Sequence, residues 1–431
     1  MMYLQSRVIL DLLEWGQSDC KQQNRQECSL VSIAEAPVIA SWAALKRLID
    51  RGAYTSLFFS RTIYAVNWYN IAALFAFIAY DFNLNVSGLG IVAACFYIGV
   101  GLFQVPGGII AAKYGAKNTA VIGILIASTA VTLTGLTADF YQLVLLRFIV
   151  GVGAAFFFAP GVTLVARTFR RESQGFGVGT FQSAYYVGGT LGLFAWSVLA
   201  EMAGWRFSLI TSGLLTLLGG VLIFLKVPKD ELRSDFVVKG EDLRRILSNR
   251  WLVLLSLELF GFGSGTFLLS SFMVYYLEQS LHLSPSLAGT IGSLTPLCAI
   301  VASPLCGMLY SKTKNVRLLL FSLGIILACA LALDAIRSVP FAVVSSILGG
   351  FGSGSFTVGY LAARDSMAAS AEYESLAVSW VNTMQMLAGF WSPIMFSLLV
   401  LSFGYGFSWL TGGLYTLVLI SAILYPIHSK R

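Results

Sequence analysis

The sequence predicts an all-α polytopic membrane protein of twelve transmembrane helices, arranged as two six-helix parallel repeats. Three observations carry that reading. Of 431 residues, 57% are hydrophobic and 11% charged, with a mean hydropathy of +0.78, whereas soluble domains usually hold about 25% charged residues. The apolar residues gather into runs of about 20, the length that crosses a hydrocarbon core of about 30 Å as a helix. The second half of the chain also repeats the first at a shift near 200.

In chain order, the first run is 56–80, closed by Asp81, and the second is 87–111, closed by Lys113 and Gly115. The third, 118–137, lies between Lys117 and Asp139, and the fourth, 140–166, ends at Arg167. The fifth, 175–200, stops at Glu201, and the sixth, 205–226, starts after Gly204 and runs into a charged segment. The second set is 251–277, 286–310, 316–335, 339–363, 375–402 and 405–427, broken by Glu278, Lys312, Arg337, Arg364 and Gly404. A transmembrane barrel would need segments of about ten residues with alternating polarity. The stretch from Leu214 to Leu225 shows none.

Orientation follows from the basic residues, because cytoplasmic loops carry the positive excess. All but four of the 28 Lys and Arg fall in the N-terminal tail, in loops after even-numbered spans or at the C-terminus. The exceptions are Arg206 and Arg337 in odd loops, and Arg61 and Arg147 inside spans. Both termini are therefore expected in the cytoplasm, with the chain multi-pass in the cell (plasma) membrane. The net charge of +7 is then a topology signal and a contact with anionic lipid. No basic stretch interleaved with aromatics points to nucleic acid.

The tail, 1–55, is polar and lacks the basic start, short apolar core and cleavage site of a signal peptide, so it is expected to stay attached. Val38, Trp42, Leu45 and Ile49 recur at helical spacing beside Lys46 and Arg47. They mark a helix lying along the cytoplasmic interface, a disordered tail, or sequence upstream of a mis-assigned start codon.

Self-comparison divides the rest. Residues 204 to 217 read GWRFSLITSGLLTL and residues 404 to 417 read GYGFSWLTGGLYTL. Pro106 matches Pro304, Gly151 matches Gly349, and Gly161 matches Gly359. The expected organisation is a six-helix half at 56–226, a charged cytoplasmic linker at 227–250, a second half at 251–427 and a cytoplasmic end at 428–431. Halves of equal orientation are parallel repeats, a geometry that places a solute site between them near the midplane.

Several classes fall away. The chain has two His and six Cys, with no C-x-x-C or H-x-x-x-H pattern, so no metal site is expected. The phosphate loop G-x-x-x-x-G-K-[ST] is absent, so ATP is not expected as an energy source, and no cofactor is indicated. The partners expected are a small-molecule solute, protons and the lipid bilayer. No pattern fixes an oligomeric state.

Three strings then resemble the major facilitator superfamily. GIIAAKYGAK, Gly108 to Lys117, looks like the signature G-x-x-x-D-R-x-G-R-K, with Gly108, Lys113, Gly115 and Lys117 in register. RFIVGVGAA, Arg147 to Ala155, is similar to R-x-x-x-G-x-G, and Gly204-Trp205-Arg206 opens span 6. GMLYSK, Gly307 to Lys312, is a weaker echo. The resemblance implies a transporter, not an enzyme, working by alternating access. It makes Gly108, Lys113, Gly115 and Lys117 gating candidates; Arg61 is a further one, through a salt bridge between the halves. The signature Asp is replaced by Ala112, so a latch made there is weakened or built otherwise. Span 5 reads YVGGTLG without the antiporter Gly-Pro pair, which demotes drug–proton antiport. QVPGG, Gln104 to Gly108, looks like organic-anion symporters, although those carry a mid-membrane Arg in span 1 where Trp68 and Tyr69 stand here.

Ionisable groups inside a bilayer are costly and are functional candidates by default. Glu258 lies seven residues into span 7, about 10 Å deep at about 1.5 Å per residue. It is the proton-coupling candidate, or else a carboxylate neutralised by a partner or wetted from the cytoplasm. Arg147 either binds an anionic group or organises a hydrogen-bond network. Arg61 either snorkels to the cytoplasmic interface or pairs with Glu258, its approximate repeat mate at a shift of 197. The other substrate-binding candidates are Asn67, Tyr69, Asn70, Gln182, Tyr185, Ser264, Asn382 and Gln385. Of Phe156, Phe157 and Phe158, one or two are expected to line a cavity and the rest to face lipid. The function expected is secondary active transport of a small solute, proton-coupled and of the organic-anion symport kind. The alternatives are an uncoupled facilitator and a drug-type efflux transporter.

Overall fold

Lipid offers no hydrogen bonds, so a chain crossing it must satisfy its backbone internally. The computed structural model describes residues 52–169, 174–228, 248–313, 315–367 and 371–424, with positions 241 and 244, and every regular element among them is helical. Most of the tail, including Val38, Trp42, Leu45 and Ile49, most of the 227–250 linker and residues 428–431 lie outside the described residues.

Helix α1 runs Gly52–Ala73 and bends by 50° into Phe75–Asp81. It is followed by α2 (Val86–Tyr114), α3 (Ala116–Thr134), α4 (Phe140–Thr168), α5 (Gln174–Ala203) and α6 (Trp205–Lys226). The second set is α7 (Arg250–Ser280), α8 (Pro285–Thr313), α9 (Val316–Asp334) and α10, made of Val339–Gly352 and Ser355–Ser366. Ala371–Ser421 is divided by a non-helical Gly404 (φ 80°, ψ 173°) into α11 and α12. Nine of the described helices are long and apolar enough to cross a membrane, ten with the bent pair counted as one span. The Gly404 break falls within the longest of them, Ala377–Leu424. Helix α1 is already formed at Gly52, four residues before the expected start, which places Arg61 deeper than the expected span does.

Helix ends are set by short polar side chains. Asn85 accepts from the Gly88 N–H at 3.0 Å and Asp139 from the Gln142 N–H at 2.9 Å. Asn249 opens α7 by accepting from Trp251 and Leu252, and Asn315 opens α9 by accepting from Leu318. At Gly204 (φ 86°) and Gly404 (φ 80°) one helix passes into the next without a loop. Only glycine adopts such φ without strain, which accounts for the glycine that opens both copies of the repeated string. Asn83 (φ 49°) and His282 (φ 55°) hold matching left-handed positions in the loops after α1 and α7.

Within the first half α3 and α4 pack closely, α2 lies on α4, and α3 on α6. In the second, α7 packs on α11 and α12, and α10 on α8 and α9. Between halves, α2 meets α11 and α5 meets α8. Gly90 abuts Ser397 and Pro393, Gly289 abuts Ser197, and Phe75 lies 6.0 Å from Phe272, ring centre to ring centre. These approaches lie toward the face carrying the loops after odd-numbered helices. Leu102, Leu145, Leu214, Phe224, Val301 and Val418 are exposed on the outer surface, which suits a lipid-facing belt.

Candidate functional site

A cavity of about 40 Å³ lies between the halves, walled by α1, α2, α4 and α5 on one side and α7, α10 and α11 on the other. Small-molecule sites usually measure about 300–1,000 Å³, so the halves are nearly closed around it. A larger groove of about 630 Å³ opens on the odd-loop face beside Tyr80, Asp81, Arg206 and Glu278. There Arg206 pairs with Asp81, which also accepts from Trp205 Nε1 at 2.7 Å. That cluster ties the start of α6 to the end of α1, giving the Gly204-Trp205-Arg206 string a structural role. The central cavity is the candidate site.

Among the described residues, Arg61 is the one charged residue that lines it. Arg61 stands nine residues beyond Gly52, the first described residue of α1, at least about 14 Å into the helix at about 1.5 Å per residue, well inside a core of about 30 Å. Its guanidinium carbon lies 4.8 Å from the Phe158 ring, 4.9 Å from Tyr185, 5.1 Å from Tyr64 and 5.3 Å from Phe181. Nη2 donates to Gln182 Oε1 at 3.4 Å, a long contact. Nε and Nη1 are buried with no hydrogen-bond partner among the described residues. A charge stacked on rings gains part of what it loses by desolvation, but its N–H edges still lack an acceptor. Arg61 therefore neither snorkels nor pairs with Glu258.

The opposite wall is neutral. Tyr360 of α10 faces Asn382 Oδ1 at 2.7 Å and Gln385 Oε1 at 2.5 Å, both on α11. One phenol proton serves one acceptor at a time, so the second amide is satisfied by turning its NH₂ toward the phenol oxygen. Trp68 Nε1, Gln104 Oε1 and Thr266 Oγ1 also line the cavity and have no hydrogen-bond partner among the described residues.

Of the sequence candidates, the structure brings Arg61, Tyr69, Gln182, Tyr185, Asn382 and Gln385 together at this cavity. Asn67 and Asn70 turn into the first half instead. Asn67 Nδ2 donates to Thr216 and its Oδ1 accepts from Ser212 at 2.5 Å, while Asn70 donates to Asn67 at 3.1 Å. Ser264 Oγ donates to the Phe260 carbonyl at 2.9 Å. Arg147 is buried on α4 with its guanidinium 4.8 Å from the Phe96 ring, away from the cavity lining. Phe158 lines the cavity, whereas Phe157 is fully buried within the first half and does not meet lipid.

Glu258 is also off the lining. It shares a face of α7 with Gly261 and Gly265, which pack on Leu419 and Thr416 of α12. It is fully buried, and neither carboxylate oxygen has a hydrogen-bond partner among the described residues. Packing also corrects the repeat register. Asn67 meets Thr216 as Gly265 meets Thr416, which pairs Glu258 with Ser60 and Arg61 with Leu259. Ser60 donates to Gly219 of α6 at 2.8 Å, the counterpart of the α7–α12 contact.

At the even-loop face, Gly115 (φ 94°) makes the turn from α2 to α3. Lys117 Nζ donates to the Val227 carbonyl at 2.5 Å, bracing α3 against the end of α6 within one half. Lys113 is exposed beside Tyr114, and a side chain at Gly108 would meet open space. In the echo string Tyr310 donates to Asp365 at 2.7 Å, joining α8 to α10.

Sequence reading missed Tyr360, Gln104, Thr266, Tyr186 and Phe267. Tyr186 had the clearest signal, standing next to Tyr185; its hydroxyl lies 3.5 Å from the Ser353 carbonyl across the halves.

A family model described as Major Facilitator Superfamily matches residues 57–333 and 255–431. The chain is 24% identical over 361 residues to a probable sulfoacetate transporter of Cupriavidus necator, covering 77% of this chain and 83% of that one. It is 22% identical over 364 residues to a probable galactarate/D-glucarate transporter of Escherichia coli, covering 75% and 80%. It is 25% identical over 334 residues to a probable nitrate transporter of Staphylococcus haemolyticus, covering 76% and 84%. Among solved structures, a nucleoside transporter superposes with a TM-score of 0.68 at 14% identity, covering 87% of this chain and 99% of that one. A bacterial homolog of the human lysosomal transporter Spinster, inward-facing and occupied, gives 0.66 at 15%, covering 86% and 94%.

Proposed function

The chain belongs to the major facilitator superfamily, a multi-pass membrane transporter and not an enzyme, and from that premise we propose that it moves a small organic anion by proton-driven alternating access. It acts in the plasma membrane with both termini cytoplasmic. The observation that carries the anion is Arg61, the one charge on the cavity wall, with two guanidinium nitrogens unpartnered among the described residues. An anion entering there supplies the acceptor those nitrogens lack, in a setting where charge-assisted hydrogen bonds are strong. The relatives named for sulfoacetate, galactarate/D-glucarate and nitrate each handle an anion by name, which supports the reading.

Access alternates as the halves rock. The approaches at Gly90, Gly289 and Phe75 separate to admit solute from the odd-loop face, and the solute bridges Arg61 of one half to Tyr360, Asn382 and Gln385 of the other. Glu258 carries the proton in this reading. A buried carboxyl with neither oxygen partnered is where gaining or losing a proton changes local energy most. It acts through α7, which also bears Thr266 and Phe267 of the cavity wall.

Uptake of organic acids into proteoliposomes, with and without an imposed proton gradient, tests the whole. Saturable uptake that rises with an inward proton gradient supports it. Uptake of neutral solutes in preference to anions would overturn it. A second reading, an uncoupled facilitator, is favoured by the separation of Glu258 from the cavity; flux indifferent to the proton gradient would establish it.

A further inference from the structure

Building on the anion reading, we infer that the transported solute is an aryl monoanion: one carboxylate or sulfonate on an aromatic ring, and not a hydroxylated or doubly charged acid. Charge is the first argument. Among the described residues Arg61 is the only cation on the wall, so a second anionic group in the closed state would be buried without a partner, which is costly. Arg147, the other intramembrane cation of this half, faces Phe96 outside the cavity.

The body of the solute is read from the walls. Eight of the sixteen lining residues are aromatic, and two of them, Phe158 and Tyr185, lie against the guanidinium. Trp68 stands edge-on to Tyr185 at 5.5 Å, and Phe267 packs on Tyr97 at 4.4 Å. Aromatic pairs favour such offset and edge-to-face arrangements, so a flat ring extends a cluster already present. Hydroxyls fare worse. Each one brought from water needs partners, and the amides of Asn382 and Gln385 each already give one position to Tyr360, which leaves few for a chain of hydroxyls. The unpartnered Trp68 Nε1, Gln104 Oε1 and Thr266 Oγ1 suffice for one or two polar substituents, not a polyol chain. The present volume, about 40 Å³, is below the roughly 150 Å³ of a cavity that holds benzene, so the ring enters only as the halves part.

Four probes separate charge number from body: benzoate, phthalate, D-gluconate and D-glucarate. Each is titrated calorimetrically into the purified wild-type protein in detergent, with benzamide as the neutral control. Benzoate is expected to bind at least about tenfold tighter than the other four. Arg61→Gln is expected to lose at least about thirtyfold in benzoate affinity, with Arg61→Lys as a second variant should the first not fold. Phthalate binding tighter than benzoate overturns the single charge, and gluconate or glucarate binding tighter overturns the aromatic body. Either result leaves the anion reading standing. Benzamide matching benzoate, or no binding by any of the four acids, overturns this inference and the anion reading together.

Discussion

The two halves share a skeleton and differ in charge. Gly204 and Gly404 make the same turn, Asn83 and His282 the same left-handed step, and Ser60 and Glu258 occupy matching places on α1 and α7. Yet the first half buries cations, Arg61 and Arg147, while the second buries acids, Glu258 and Asp334. Asp334 is partly satisfied, accepting from Ser345 at 2.7 Å, and Ser345 follows Arg147 by 198 residues, the shift that relates Gly151 to Gly349. What the repeat preserves is packing; what it discards is symmetry of charge. A solute bound to the cation side and a proton bound to the acid side would couple through the contact between halves.

The largest effect is expected from Arg61. Arg61→Gln removes one member of a buried charged pair, a loss of about 2–5 kcal/mol in comparable pairs, or at least about thirtyfold in affinity. Anion uptake into proteoliposomes should fall to background while the protein still elutes as a single folded species. Its mate Leu259 is apolar, so Leu259→Ala should lower thermal stability without abolishing uptake. Equal losses of uptake in both variants would erase the proposed asymmetry.

The next contrast is Glu258 against Ser60. Glu258→Gln keeps shape and burial but cannot ionise. Solute exchange down its own gradient should persist, and uphill accumulation in response to a proton gradient should vanish. Ser60→Ala removes one hydrogen bond, worth about 1 kcal/mol, and should leave coupling intact. If Glu258→Gln still accumulates solute uphill, the carboxyl is not the coupling site.

Gly204→Ala and Gly404→Ala probe what the halves share. At each position a Cβ would meet no atom within 4 Å, so the cost is conformational: an alanine held at φ near +80° with extended ψ sits in a region essentially reserved for glycine, at about 1–3 kcal/mol. Both should lower the unfolding temperature by similar amounts. A large difference between them would show that the turns are not equivalent.

Much of this architecture was legible because lipid demands apolar runs, and because the glycine turns are required by φ and therefore recur. The facing of each helix was not legible. A membrane helix is apolar on every side, so no stripe marks its inner face, and α2 and α4 carry almost none. Register suffered for the same reason. An offset of one residue turns a mate by about 100° at 3.6 residues per turn, enough to set Arg61 against Glu258 on paper when packing sets it against Leu259. Asn67 and Asn70 read as cavity residues because amides are equally suited to bind solute or to tie helices, and only their bonds to α6 distinguish the two. Tyr360 escaped because its repeat mate, Val162, is apolar, so self-comparison had nothing to flag.

Tyr360 is also where the smallest effect should appear and where the contrast between halves is sharpest. If the acid-bearing half contributes only a neutral wall, removing the phenol oxygen should weaken solute binding without silencing transport. Tyr360→Phe forfeits a hydrogen bond worth about 1 kcal/mol net, or about fivefold in affinity. It also frees Asn382 and Gln385 to meet polar substituents. The loss should therefore be largest for an unsubstituted ring and smaller, or reversed, for a ring bearing a hydroxyl. Comparing benzoate with 4-hydroxybenzoate in this variant measures that difference directly. Equal losses for both would mean that the two amides do not face the solute, and that Arg61 and the rings of the first half select it alone.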